Sequence, residues 1–238
     1  MNVTDVRGPE AGPLTAVFRQ REPLRPPGPP PRVVGLDGRT HTPGEAVPAE
    51  HVRLHQAFLG RIIDYLCADA GVRQFVDWGC PVPGTADRVR SVDPDATVVH
   101  IAPQGAAGVL VAPDHAPVLP GDGVGSESLL RRLDTGGLVD LDEPVAVLMT
   151  RTFCADSPPT GLDALHRLMR GGGYLALTST APRVEVERAF APFRPLEPGV
   201  ADLAWWPYPD EDVAAEGSGV LAGLGRAPGR GGGTTRWR

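Results

Sequence analysis

Ten consecutive residues constrain this chain more than any others: Val72-Arg73-Gln74-Phe75-Val76-Asp77-Trp78-Gly79-Cys80-Pro81. An apolar strand ending in Asp-x-Gly is how many doubly wound α/β proteins open a nucleotide site. The strand's carboxyl end lies at the topological switch point, and the next helix offers free N–H groups at its N-terminus. The following strand, Ala96–Ile101, is then expected to bring a carboxylate to the ribose hydroxyls. Ala102-Pro103-Gln104-Gly105 comes instead, with no acid.

The segments around this unit repeat the α/β alternation. Apolar residues at threes and fours (Val52, Leu59, Ile62, Ile63, Leu66, with Phe58) predict a helix over 48–70. Pro48 suits its first turn and Gly71 its left-handed C-cap. The Pro/Asp/Arg-rich stretch 83–95 leaves room for two or three helical turns, and Pro94-Asp95 makes a turn. A third strand is expected at 116–119 and a helix from Ser126 or Glu127 to Leu133. Pro144–Met149 is apolar throughout, the pattern of a strand covered on both faces. A helix over 159–170, a strand over 174–178 and a helix over 184–191 follow. Trp205-Trp206 and 219–224 read as a closing antiparallel pair, with one tryptophan in the core. The implied fold is a mostly parallel sheet with right-handed crossovers.

Composition sets the limits of the domain. Gly (30) and Pro (27) make up about a quarter of the 238 residues, roughly twice the usual ~12%, and the excess sits at the ends. Six prolines fall within Pro23–Pro31, which excludes helix or central strand there and predicts polyproline II or disorder. We therefore expect a largely disordered, proline-rich segment over 1–47, a folded domain over 48–228 and a disordered tail over 229–238. The proline-rich run reads as a linker or as a ligand for a protein partner. All 23 basic residues are arginine, which coding bias explains better than phosphate recognition, and the net charge of −6 argues against general nucleic-acid binding. No apolar run is long enough to span a membrane and the N-terminus lacks a signal-peptide order, so a cytoplasmic protein is expected. Cys67, Cys80 and Cys154 lack the spacing of a disulfide framework or zinc site.

These blocks are similar to a known family. Gln56-Ala57-Phe58-Leu59 with Arg61, Gly71–Phe75 with Val76-Asp77-x-Gly79, and Pro94-Asp95-Ala96-x-Val98-Val99 carry the resemblance. So do Leu141-Asp142-x-Pro144–Leu148, Gly172–Leu177 and Leu196–Val200. Together they resemble the S-adenosyl methyltransferase family typical of actinobacteria, formerly a domain of unknown function. The resemblance implies a class I methyltransferase-like, Rossmann-like fold: a three-layer αβα doubly wound sheet with a C-terminal antiparallel strand. It implies S-adenosyl-L-methionine as cofactor and a small-molecule methyl acceptor.

The departures from the family pattern fall on the cofactor site. The family's first loop reads Asp-x-Gly-x-Gly-x-Pro-Thr, and Pro81 replaces its second glycine. Ala102 and Gln104 stand where the family has two acids. Arg151-Thr152-Phe153 lacks the family's histidine, and Val34-Gly35-Leu36-Asp37-Gly38-Arg39 is a reduced form of its N-terminal signature. Only about ten residues remain between strands two and three, so the helix that covers adenine is expected to be truncated or absent. The residues expected at the cofactor site are Asp77, Gly79, Cys80, Asp122, Arg61 and Gln104, with Asp156 at the same mouth. For Asp77 and Asp122 the alternative is a helix cap or a solvated loop charge.

Other constellations read as structural. His51 and His55, one helical turn apart, lack a third metal ligand and are expected at the surface, so no metal site is assigned. Cys80 near a helix N-terminus would have a lowered thiol pKa, but a packed loop cysteine is the simpler reading. Ser157, Asp163 and His166 lie too close in sequence for a triad. Three functions stay open: a methyltransferase with a remodelled site, a catalytically inactive scaffold acting through protein association, and a site adapted to another ligand such as a nucleoside or acyl group.

Overall fold

Alternation along the central strands decides the layers. In the computed structural model, residues 33–34, 40–41, 49–78, 84–102, 116–121, 127–153, 159–207 and 217–229 are described. Residues 32–238 form one unit, distinct from residues 1–31.

An antiparallel pair of two-residue strands, β1 (Val33–Val34) and β2 (Thr40–His41), precedes α1 (Ala49–Ala68). Then come β3 (Gln74–Trp78), α2 (Thr85–Val92), β4 (Thr97–Ala102), β5 (Val118–Pro120) and α3 (Glu127–Thr135). The second half holds β6 (Val145–Phe153), α4 (Leu162–Leu168), β7 (Gly173–Ser179) and α5 (Arg183–Ala189). The short β8 (Arg194–Pro195) and β9 (Ala201–Asp202) precede β10 (Leu221–Ala227). The main sheet runs β5-β4-β3-β6-β7-β10-β8, with β9 beside β10. Strands β3 to β7 are parallel, and β10 is antiparallel to β7.

Phe75, Val98, Ala146, Leu148 and Ala176 turn one face of the sheet toward α1 and α2, where Phe58, Ile62, Leu66, Ala86 and Val89 are buried. Val76, Val99, Val147, Leu175 and Leu177 turn the other face toward α3, α4 and α5. Burying both faces explains why the strands read as continuous apolar runs. α1 ends where its sequence says it should: Gly71 takes φ 66°, and the Val72 N–H closes back on the Leu66 carbonyl at 2.8 Å. No helix among the described residues is long and apolar enough to cross a membrane.

Two expectations need correction. His55 is fully buried, not at the surface, because it shares the apolar stripe of Leu54, Phe58 and Leu59 on α1; the side chain of His51 lies outside the described residues. The strands paired with β10 are β7, β8 and β9, and Trp205-Trp206 is a turn. Two adjacent aromatics look like strand in sequence, but Asp202 three residues earlier supplies turn chemistry. Its Oδ1 accepts from the Ala204 N–H at 2.9 Å and the Ser218 hydroxyl at 2.8 Å, and its Oδ2 from the Gly219 N–H at 3.1 Å. Trp206 is the core tryptophan, packed edge-on to Phe58 at 5.4 Å, while Trp205 is exposed. Of the stretches expected to be disordered, 33–34 and 40–41, which pair as β1 and β2, and Gly229 are described; the rest of them lies outside the described residues, and so does 103–115, where a shortened crossover is expected.

Candidate functional site

Strand order turns between β3 and β6: the chain builds outward from β3 through β4 to β5, then crosses back to β6 on the other side. In open α/β sheets this is the switch point, and the carboxyl ends of the two strands form the ligand crevice. Asp77 sits one residue before the end of β3, in register with Leu148 of β6 and His100 of β4. Phe75, two residues earlier, packs on the α1 side, so by alternation Asp77 shares that face, as does His100 after Val98.

The Asp77 side chain is fully buried, and neither carboxylate oxygen has a hydrogen-bond partner. The His100 Nδ1 lies 3.2 Å from Oδ2, within ion-pair distance, but makes no directed hydrogen bond to that oxygen. Proximity of the imidazole offsets charge, whereas a desolvated carboxylate still needs donors. Among the described residues one other buried side-chain atom is without a partner, the Thr150 Oγ1. Thr150 lies on β6 two residues beyond Leu148. The only unsatisfied buried side chains described here thus flank the switch point on adjacent strands.

β6 itself is irregular at this place. Met149 pairs with Leu177 and Phe153 with Ser179, so four residues of β6 oppose two of β7. Bulges of this kind gather next to functional sites, where they re-aim side chains. The Thr178 hydroxyl donates to the Thr150 carbonyl at 3.1 Å and holds the irregular end of the strand.

Around this crevice the expected residues fall as follows. Asp77 faces it. Arg61, on α1, donates from Nε to the Trp206 carbonyl at 2.8 Å and from Nη2 to the Leu203 carbonyl at 3.4 Å. It therefore anchors the turn before β10 to α1. Gly79, Cys80, Gln104, Asp122 and Asp156 lie outside the described residues. Ala102, at the end of β4, is buried and apolar. Trp78 belongs to the opposite, α3/α4 face, so its indole does not fill the Asp77 side. His166 packs edge-on against Phe193 at 5.2 Å, and Asp163 is exposed. A separate cleft of about 260 Å³ between α1 and α2 is lined by Gln56, Leu59, Gly60, Ile63, Gly84, Thr85 and Arg88. Arg88 is ion-paired to Asp64 beside it at 2.5 Å.

Sequence reasoning missed His100 and Thr150. Each left a signal: one polar residue inside or at the end of an otherwise apolar strand, Val98-Val99-His100-Ile101 and Val145–Thr150.

The sequence profile of the S-adenosyl methyltransferase family matches residues 38–184, well over half of the 238. The chain belongs to this family. Its fold is accordingly the class I methyltransferase fold, with the mostly parallel sheet closed by antiparallel β10. A putative methyltransferase from Thermobifida fusca is similar in structure at 25% identity, with a TM-score of 0.60, covering 74% of this chain and 81% of the other. A DUF574 family protein from Streptomyces avermitilis shares the fold at 21% identity and a TM-score of 0.53, covering 74% and 83%. No curated protein matches the chain. By family and fold this is an S-adenosylmethionine-dependent methyltransferase-like protein.

Proposed function

We propose that the chain binds S-adenosylmethionine at the carboxyl ends of β3 and β6 and transfers its methyl group to a small-molecule acceptor. The observation that carries this reading is the Asp77 carboxylate, fully buried and without a hydrogen-bond donor. Burying a carboxylate whose oxygens receive no hydrogen bond costs on the order of several kcal/mol. A fold with no ligand to satisfy would gain stability by losing it.

The residues fit the two ends of the cofactor unequally. At the amino-acid end, Asp77 would accept hydrogen bonds from the ammonium group. At the ribose end, Ala102 supplies no acceptor. A hydrogen bond to a charged group contributes about 1.5–3 kcal/mol, so the missing acid weakens binding by roughly 10- to 150-fold. When bound, the cofactor supplies a methyl group already activated on a sulfonium. The chain's own work is then chiefly to hold the acceptor in line at about 3–3.5 Å and to exclude water.

The buried, apolar Ala102 favours a second reading: a catalytically inactive methyltransferase-fold scaffold acting through protein association, with the proline-rich N-terminal segment as tether or ligand. Calorimetric titration of the full chain with S-adenosylmethionine and S-adenosylhomocysteine separates the two. Micromolar binding supports the enzyme. Absence of heat and of any thermal shift at millimolar ligand overturns it in favour of the scaffold.

A further inference from the structure

The structure assigns Thr150 to the site as a second polar contact for the ligand's amine, an inference that rests on the proposed cofactor site. Asp77 and Leu148 are cross-strand partners, and Thr150 lies two residues further along β6. With strands about 4.8 Å apart and a rise of about 3.3 Å per residue, the two Cα atoms are about 8 Å apart. At that separation a single ligand atom is within reach of both side chains.

The chemistry of the pair narrows what that atom is. A carboxylate only accepts, so the occupant must donate; a hydroxyl also accepts, so one group with several N–H bonds satisfies both. A primary ammonium meets this requirement with donors for both Asp77 oxygens and for Thr150 and with a charge that offsets the carboxylate; a ligand hydroxyl has one proton to donate and no charge, and a ligand carboxylate donates nothing. The irregular end of β6 explains how Thr150 is held. Four residues of β6 oppose two of β7 there, and the Thr178 hydroxyl takes up the Thr150 carbonyl. The backbone of Thr150 is thus fixed by the scaffold while its Oγ1, fully buried, has no partner.

The test compares S-adenosylhomocysteine with its des-amino analogue by calorimetry on the wild-type chain, Thr150→Val and Thr150→Ser. Val matches Thr in shape and removes only the hydroxyl. Thr150→Val is expected to bind S-adenosylhomocysteine about tenfold more weakly and the des-amino analogue within about twofold of wild type. Its ligand-free melting temperature is expected to be unchanged or raised, since an unsatisfied group is lost. Thr150→Ser should bind both probes like wild type. Equal losses for both probes, no loss for either, or an unfolded Thr150→Val protein would each overturn the assignment. Wild-type chain that binds neither probe refutes the cofactor site itself, and the assignment with it.

Discussion

The two edges of the sheet are built to different standards. At the amino edge polar groups are matched. Gln74 and Asp140 exchange two hydrogen bonds, at 3.0 and 2.7 Å. Arg170 forks onto Asp142 at 2.5 and 2.9 Å and reaches Asp134 at 3.4 Å, while Asp134 also accepts from the Leu141 N–H. Backbones approach so closely there that Gly173, at φ 143°, has no room for a Cβ beside the Val145 carbonyl. At the carboxyl edge β6 loses register, and the two buried side chains left unsatisfied among the described residues, Asp77 and Thr150, flank the switch point. One edge holds the fold together; the other keeps buried polar groups without a hydrogen-bond partner.

The largest expected effect breaks the amino edge. Gly173→Ala combines a backbone conformation that L residues rarely adopt with a collision against β6, and is expected to destabilise by more than about 3 kcal/mol, or to prevent folding. Chemical denaturation read by circular dichroism measures this. Loss of less than about 1 kcal/mol would mean that β6 and β7 can separate at that edge.

A middle-sized effect sharpens the carboxyl edge. Pro81→Gly with Ala102→Asp restores the second loop glycine and the ribose carboxylate of the family pattern. It is expected to tighten S-adenosylmethionine binding by roughly 10- to 150-fold in calorimetry. Unchanged affinity would mean that the crevice beside Ala102 is closed by backbone.

The smallest effect is at Arg170. Its hydrogen bonds to Asp142 hold that carboxyl below the usual carboxylate range. A depressed folded pKa stabilises above the unfolded value and loses that contribution as pH falls through the folded one. Arg170→Met should therefore lower the melting temperature slightly at pH 7, and the gap to wild type should close below about pH 4. A gap that persists in strong acid would assign the effect to packing of the arginine stem. Exposed pairs contribute little, so the shift is small.

Much of the fold was legible because both faces of the sheet are covered. Val76 and Phe75, or Val147 and Ala146, are buried on opposite sides, and runs of that kind have few alternatives to a central parallel strand. Gly71 and Pro94-Asp95 marked their boundaries for local steric reasons. Trp205-Trp206 misled because side-chain bulk suggests strand, whereas the turn is made by the carboxylate of Asp202 reaching across to residues 218 and 219. Such a long-range hydrogen bond leaves no periodic trace. His55 misled because a polar side chain was read by type and not by its place on the Leu54–Phe58 stripe. At the site, Asp77 was legible from the Asp-x-Gly turn. Thr150 was not, since its place beside Asp77 depends on which strand lies beside β3 and on a loss of register. Both are properties of topology.

The most direct test of the contrast is equilibrium unfolding of wild type and Asp77→Asn, each with and without S-adenosylhomocysteine. A carboxylate kept for a ligand should make the variant more stable than wild type without ligand and abolish most of the ligand-induced stabilisation. A variant that is less stable on its own, yet gains as much from ligand as wild type, would make Asp77 a structural partner of His100 and contradict the account.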